Sequence, residues 1–458
     1  CPVEELCEDA CVMRLEGRHA IEIGRLQRFA TDRGKSITYP ALPRSVGRVA
    51  VIGAGPAGLA CASELARKGC SVEVFEKRSL PGGLATYSIA PYKQQMHPIE
   101  EETARIEALG VTFRYGTEVG VAPTWEEVRA NFDAVFLGVG MGSDSAAGLP
   151  GEDLAGYWES LPFIEAIKLG RRPEIGRRVL VIGGGNTAID VVREAVRLGA
   201  EKVTVVYRRD EASMPAFPHE VAAARAEGVE FEFLAAPSRI LGEDRVRGLE
   251  CRRMELGEPD ASGRRRPVPV PGSEFLLDAD TIVAAIGQRP LESLFQALGL
   301  EIEAGLPRVD GRFATSDPKF FAGGDCVNGG NTVVEAVRHG KVAAAEIFAS
   351  LSGEAQPTEQ PVAPAKTVHE GSVVKHYQGD FYVGTSGPLC KGCNLCIGSC
   401  PSHILYLDGK NKIQVTDANL CVFCGICEQR CPDFAIWIHR EAGGDHPVEV
   451  EAKRRLAV

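Results

Sequence analysis

A buried strand running through closely spaced glycines into a helix occurs twice in this chain, and each occurrence commits its surroundings to one supersecondary unit. The first is "RVAVIGAGPAGLACASELARKGCSVEVFEK", from Arg48. Gly53 makes the tight turn, Gly55 lets backbone approach a pyrophosphate, and Gly58 lets helix and strand pack closely. The helix N-terminus offers free N–H groups to phosphate oxygens. Glu76 closes the next strand, where a carboxylate accepts a ribose hydroxyl. The second is "RRVLVIGGGNTAIDVVREAVRLGAEKVTVVYRRDEASMP", with Gly183, Gly185 and Ala188 in the same places. Asn186 and Thr187 open its helix and count with the turn as cofactor-binding. Its second strand ends in Tyr207, Arg208 and Arg209 with no carboxylate. Arginines there pair with a 2′-phosphate, which favours NADPH over NADH; the alternative is solvated strand-end charge.

A third segment, "FFAGGDCVNGGNTVVEAVRHGK", reads as a strand delivering Asp325 at its end, then a helix beginning near Thr332 and Val333. There the Asp can bond the ribityl or phosphate region of a flavin, and the helix N-terminus can stabilise negative charge on its reduced ring. A flavin and a nicotinamide are the pair needed to move hydride. Gly83, shortly after the first unit, belongs with the flavin site.

Eight of the fifteen cysteines fall in "LCKGCNLCIGSCPSHIL" and "CVFCGICEQRCPDFAIW". Cys390, Cys393, Cys396 and Cys400, then Cys421, Cys424, Cys427 and Cys431, show the two-cluster ferredoxin spacing, in which the fourth cysteine of each run serves the other cluster. One [4Fe–4S] cluster is expected on Cys390, Cys393, Cys396 and Cys431, the second on Cys421, Cys424, Cys427 and Cys400. Zinc sites use other spacings. Secreted disulfides are disfavoured by the same clustering, which points to a reducing compartment. Cys61 and Cys70 read as packing residues, as does Cys326. Cys251 stands without the CxxC partner that dithiol chemistry needs.

The order GAGPAGL, GGGNTAID with YRRDEASMP, AIGQRP and GGDCVNGGNTVVEAVRHG resembles the glutamate synthase small-subunit family, to which the flavin portion of dihydropyrimidine dehydrogenase is similar. The resemblance covers residues 1 to about 352. It implies FAD rather than FMN, and a nicotinamide domain inserted in a split flavin domain. Where the family usually reads "RYGIP" after Gly82 and Gly83, this chain reads "LATYSIAPYKQQ". At the N-terminus, "CPVEELCEDAC" resembles a dehydrogenase run that ligates two [4Fe–4S] clusters. Carried over, Cys1, Cys7 and Gln27 would serve one cluster and Cys11 the other. The remaining ligands are expected from an upstream cysteine run, since three cysteines and a glutamine split this way cannot close two clusters; the alternative is that these are structural thiols. The C-terminal module resembles the ferredoxin-like subunit of 2-oxoacid:ferredoxin oxidoreductases.

The expected fold is α/β: two doubly wound dinucleotide-binding domains, a helical N-terminal Fe–S segment and a C-terminal ferredoxin-like α+β module. Strands and helices are expected to alternate from Arg48 to about Leu351. The expected divisions are 1–43 for the N-terminal segment, 44–145 and 284–352 for the FAD domain, and 146–283 for the NAD(P) domain. A Pro-containing linker at 353–366, the ferredoxin module at 367–440 and a charged tail at 441–458 follow. With 44% hydrophobic and 25% charged residues the chain is globular, and its net charge of −11 argues against nucleic-acid binding. No apolar run reaches membrane-span length and no signal peptide is visible, so a cytoplasmic setting is expected. No residue stands out as a catalytic acid or base. The expected function is an electron-transfer subunit between NAD(P)(H) and a partner, foremost a thiamine-diphosphate 2-oxoacid oxidoreductase complex. A glutamate synthase-type complex and a ferredoxin:NADP reductase or bifurcating subunit come next. The rival of another class is a non-catalytic assembly module.

Overall fold

Short apolar runs ending in glycine build the sheets. Val49, Ala50 and Val51 are all fully buried, so the strand Arg48–Ile52 lacks the alternation of a half-exposed strand and is covered on both faces. The computed structural model describes residues 2–11, 13, 19–34, 39–259, 265–353, 373–378 and 381–440. Cys1, the Pro-containing linker beyond Gly353 and the charged tail lie outside these. The chain falls into two compact units: Arg33–Gln356, and a unit made of Pro2–Asp32 with Pro357–Val458.

The larger unit holds two five-stranded sheets. In the first the order is Phe320–Ala322, Ala134–Leu137, Arg48–Ile52, Ser71–Glu76 and Thr112–Tyr115, all parallel. In the second it is Tyr157–Glu159, Thr281–Ala284, Arg178–Ile182, Lys202–Tyr207 and Glu230–Phe233, again all parallel. Phe320 pairs with Val135, so the first lobe takes strands from both sides of the second, which is inserted in it. The two connectors between the lobes run antiparallel. Gly142 N–H donates to the Arg289 carbonyl at 2.8 Å, Arg289 N–H to Ser143 at 3.0 Å, and Ser145 N–H to Gly287 at 2.8 Å.

Alternation of strand and helix breaks down between Ala235 and Asp278. Three strands, Ala235–Gly242, Val246–Pro259 and Arg265–Asp278, form an antiparallel sheet instead. The turn from Gly242 to Val246 is too short for the crossover a parallel neighbour requires. The smaller unit's C-terminal part is α+β. Val373–Gln378, Phe381–Ser386 and Ile436–Arg440 make one antiparallel sheet, Leu405–Leu407 and Ile413–Val415 a second. The short helices Leu395–Ser399 and Ile426–Arg430 follow the two cysteine loops. Among the described residues no helix is long and apolar enough to cross a membrane.

Helices Pro56–Arg67 and Val333–Ser352 pack at bare backbone: a Cβ on Gly340 would lie 2.1 Å from the Ala57 carbonyl oxygen. Gly340→Ala is expected to force them apart and cost about 1–3 kcal/mol. Gly311, with no atom within 4 Å of its would-be Cβ, supplies the control. Gly311→Ala should leave the thermal unfolding midpoint in place while Gly340→Ala lowers it.

Candidate cofactor sites

The first glycine turn is closed by backbone on one side and open on the other. Gly53 has φ 100°, and a Cβ there would lie 2.5 Å from the Gly138 carbonyl oxygen. A Cβ on Gly58 would lie 1.9 Å from Gly53 O, so the helix sits directly on the turn. Gly55 caps that helix with extended backbone, and a Cβ on it would meet nothing nearer than 3.9 Å. The open side is a cradle that any side chain would begin to fill, as a pyrophosphate at a helix N-terminus requires. Glu76 is 7% exposed. Its Oε2 accepts from Ala54 N–H at 2.8 Å and its Oε1 from Arg78 N–H at 2.9 Å. Each oxygen keeps a second lone pair for a ribose hydroxyl, and the carboxylate is already aimed by the turn. Gly82 N–H donates to Ala54 O at 2.7 Å. Gly83, at φ 54°, brings its would-be Cβ within 3.0 Å of the Gly55 Cα, so this loop roofs the cradle.

Asp325 does not end a strand. The strand Phe320–Ala322 stops short, and Asp325 opens the helix Asp325–Asn328. Gly323 is wedged against the Phe136 ring and Gly324 turns at φ 81°, which carries the chain out of the sheet. The Asp325 Oδ1 accepts from Asn331 N–H at 3.2 Å, and burial pushes its carboxyl above the ordinary range. Thr332 caps Val333–Ser352, its Oγ accepting from Glu335 N–H at 3.3 Å. Val333 is the first helical residue. A residue that sequence reasoning missed is His339. Its Nδ1 accepts from Gly324 N–H at 3.1 Å, so Nε2 carries the proton and donates to Glu335 Oε1 at 3.0 Å. It ties the start of the long helix to the glycine loop beside Asp325. The only sequence signal was a polar residue on the helix face that packs inward at Gly340.

The second turn repeats the first in outline. Gly183 has φ 141°, and a Cβ there would lie 2.1 Å from Ala285 O. One on Gly185 would meet nothing within 4 Å. Ala188 is fully buried, and Thr187 is exposed in the first helical turn. The Asn186 Oδ1 accepts from Phe217 N–H at 2.9 Å, so this side chain holds the loop that follows the arginines. Arg208 is exposed at the strand end. Arg209 is half-buried, its Nε 3.4 Å from Arg265 O.

The eight C-terminal cysteines are gathered into two cavities. One is lined by Cys400, Cys421, Cys424 and Cys427. The other is lined by Cys390, Cys393, Cys396 and Cys431. Each wall takes three cysteines from one run and the fourth from the other, the crossed partition read from the spacing. The two loops match in conformation. Gly392 and Phe423 are both left-handed, as are Asn394 and Gly425, and His403 and Phe434 after the prolines. Ile413 N–H points at Cys390 Sγ at 3.3 Å and Ala435 N–H at Cys431 Sγ at 3.1 Å, bonds that set the potential of a cluster held there. Among the described residues no three donors converge as a single metal ion would need. The four cysteines on each wall are the donor set that would hold a [4Fe–4S] cluster. Burial, then the neighbouring sulfurs, pushes the Cys427 thiol up to about 12 and Cys396 to about 11, so these cysteines would ligate as thiolates only with the charge of bound iron beside them.

In the N-terminal segment Cys7 is half-buried and Cys11 buried, with Cys11 Sγ accepting from Ile21 N–H at 3.4 Å. Gln27 is exposed on the helix Ile23–Arg33. Cys61, Cys70, Cys251 and Cys326 are buried free thiols. Burial lifts Cys251 and Cys326 each to about 12, which makes them poor nucleophiles at neutral pH.

The chain matches the pyridine nucleotide-disulphide oxidoreductase family over residues 47–340 and the 4Fe-4S dicluster domain over residues 389–435. Residues 1–38 match dihydropyrimidine dehydrogenase domain II, 4Fe-4S cluster. It is 41% identical to a glutamate synthase [NADPH] small chain of Halomonas elongata, over 75% of this chain and 77% of that one. It is 44% identical to the NADP(+)-dependent formate dehydrogenase subunit beta of Moorella thermoacetica, over 68% of this chain but only 45% of that subunit. Among solved structures, Mycobacterium tuberculosis FprA in complex with NADPH shares the fold, with TM-score 0.56 at 21% identity over 68% of this chain and 85% of that one. The chain belongs to the glutamate synthase small-chain family, as an NAD(P)-dependent flavin and iron–sulfur electron-transfer protein that carries a 4Fe-4S dicluster module at its C-terminal side.

Proposed function

We propose that this chain passes electrons between NADPH and a thiamine-diphosphate 2-oxoacid oxidoreductase partner and performs no carbon chemistry itself. The observation that carries the reading is the pair of four-cysteine cavities in a chain whose other unit holds two glycine cradles. FAD, when bound, trades two electrons with a nicotinamide as hydride and releases them singly to clusters that carry one at a time. In this reading the FAD domain is 44–145 with 284–352. Gly53, Gly55, Gly58 and Gly83 shape its phosphate cradle, Glu76 takes the ribose, and Asp325, Thr332 and Val333 hold the flavin end. The NAD(P) domain is 146–283, with Gly183, Gly185, Asn186 and Thr187 at the pyrophosphate and Arg208 and Arg209 on the 2′-phosphate. Cys7, Cys11 and Gln27, with Cys1, serve further clusters together with ligands from elsewhere. Thiolate-rich sites of this kind persist in a reducing compartment, which supports the cytoplasm.

The choice of a 2-oxoacid partner rests on the likeness of the dicluster module to the ferredoxin-like subunit of such complexes. The Moorella relative, a formate dehydrogenase subunit, supports a second reading in which the partner oxidises formate. Anaerobic co-purification followed by NADP⁺ reduction with a 2-oxoacid and coenzyme A, with formate, or with glutamate decides between them. Reduction driven by the 2-oxoacid is expected. Reduction driven by formate or glutamate alone overturns the partner assignment and leaves the electron-transfer reading standing.

Two substitutions test the residues. Changing Arg208 and Arg209 to Ala should raise the KM for NADPH roughly ten- to a hundredfold, the worth of a charged hydrogen bond or two, with the KM for NADH nearly unchanged. Equal effects on both nucleotides would make the arginines solvated charge. Cys431→Ala should remove about four irons, one cubane, per chain while dye reduction by NADPH persists, as iron analysis beside a dye assay would show.

A further inference from the structure

The segment "LATYSIAPYKQQ" leaves the flavin-side glycines and runs onto the second lobe. The helix Leu84–Tyr87 follows Gly83. Just ahead of it, Arg78 pairs with Glu165 of the helix Ser160–Lys168 at 2.5 Å. Beyond it, Lys168 Nζ donates to the carbonyl oxygen of Ile89 at 2.9 Å and to that of Gln94. Tyr92 OH donates to Asp190 Oδ1 at 2.8 Å. Lys93 Nζ lies 2.5 Å from the same carboxylate and 2.9 Å from Glu220. Arg193 joins Glu220 at 2.9 Å and Glu227 at 2.8 Å, and its guanidinium lies 4.4 Å from the centre of the Tyr92 ring. Arg197, 4.3 Å from that ring, completes the bracket. Asp190 belongs to the GGGNTAID motif and Glu220 follows YRRDEASMP, yet both carboxylates face this strap.

The cluster is built rather than incidental. Asp190 is 7% exposed, and the Arg193 side chain 13%. Lys93, Lys168, Arg193 and Arg197 balance Asp190, Glu194, Glu220 and Glu227. Buried charges of this kind persist only when paired and bonded, and removing one partner leaves its mate uncompensated. The antiparallel connectors at Gly142–Ser145 and Gly287–Arg289 would by themselves form a hinge of two strands. The strap adds a third tie, which spans from the roof of the first glycine cradle to the helix that starts at the second.

We infer that Tyr92 and Lys93 form an interlobe clasp that fixes the nicotinamide lobe against the flavin lobe, and that they are positioning residues for hydride exchange between the two bound nucleotides. This rests on the assignment of FAD to the first lobe and NADPH to the second. Hydride exchange is steep in donor–acceptor geometry, so loosening the clasp should slow transfer more than it weakens binding.

The test uses the intact holoprotein and the variants Lys93→Met, Lys93→Arg and Tyr92→Phe, the last retaining the ring under Arg193 and Arg197. Three quantities are read anaerobically: the stopped-flow rate of flavin bleaching by NADPH, the Kd for NADP⁺, and hydrogen–deuterium exchange in peptides covering 84–96 and 186–198. Lys93→Met is expected to slow bleaching about tenfold or more, with Kd changed less than about threefold and faster exchange in both peptides. Lys93→Arg should restore the rate to within about threefold. Should Lys93→Met fail to fold, Tyr92→Phe is expected to move rate and exchange in the same direction. Wild-type rates in both Lys93→Met and Tyr92→Phe, or unchanged exchange in them, overturn the clasp. Loss of NADP⁺ affinity in proportion to rate does so too. A wild-type flavin that neither NADPH nor NADH reduces would overturn the lobe assignment together with the clasp.

Discussion

Backbone meeting backbone on both sides of the helix Pro56–Arg67 is the contact on which the flavin lobe depends. At its start Gly58 lies on the Gly53 carbonyl, and on its flank Gly340 lies on the Ala57 carbonyl. No side chain can stand at either place, so two helices and a strand end are drawn closer than ordinary packing allows. That closeness puts the first N–H groups of the helix at the turn and brings His339 within reach of the Gly323–Gly324 loop. Cofactor geometry in this lobe therefore follows from the absence of atoms at a few positions.

Electrostatics contributes differently in the two units. Between the lobes, cations and carboxylates are matched and partly buried around the buried Asp190, so their attraction is less screened than at an open surface and each depends on its partner. In the cysteine module burial and the neighbouring sulfurs act together on thiols crowded into one wall. Crowding them raises the cost of ionising any one, and the burial that raises Cys427 also excludes competing water. Iron bound by these cysteines would supply the positive charge that favours their thiolates, which couples metal binding to the stability of the module.

Much of this was legible in the sequence where the determinant is local. Glycine spacing after an apolar run revealed both cradles, because tight turn, phosphate approach and helix packing each need glycine within a few residues. The crossed cysteine partition was legible for the same reason. Other features were not. Tyr92 meets Asp190 across 98 positions, and nothing near either residue advertises the other. Asp325 was placed at a strand end because apolar residues precede it, while the strand actually stops where Gly323 meets the Phe136 ring. The antiparallel sheet from Ala235 to Asp278 escaped a reading tuned to alternating strands and helices, although its short first turn forbids a crossover. Motif membership also hides further contacts: Asp190, inside a nucleotide-binding signature, bonds the strap, and Asn186 beside it accepts from the Phe217 N–H of a following loop.

The crossed walls of the two cysteine cavities have a consequence for biosynthesis. As the chain leaves the ribosome, Cys390, Cys393, Cys396 and Cys400 appear together, but they border two different cavities. Neither quartet is complete until the second run has emerged: the Cys400 wall closes with Cys427, the Cys390 wall only with Cys431. A cluster delivered to the nascent first run would find three proper ligands and a fourth belonging to its neighbour. Metallation of this module therefore waits until the second run has emerged, and a delivery factor that recognised the first run alone would seat its cargo in the wrong frame.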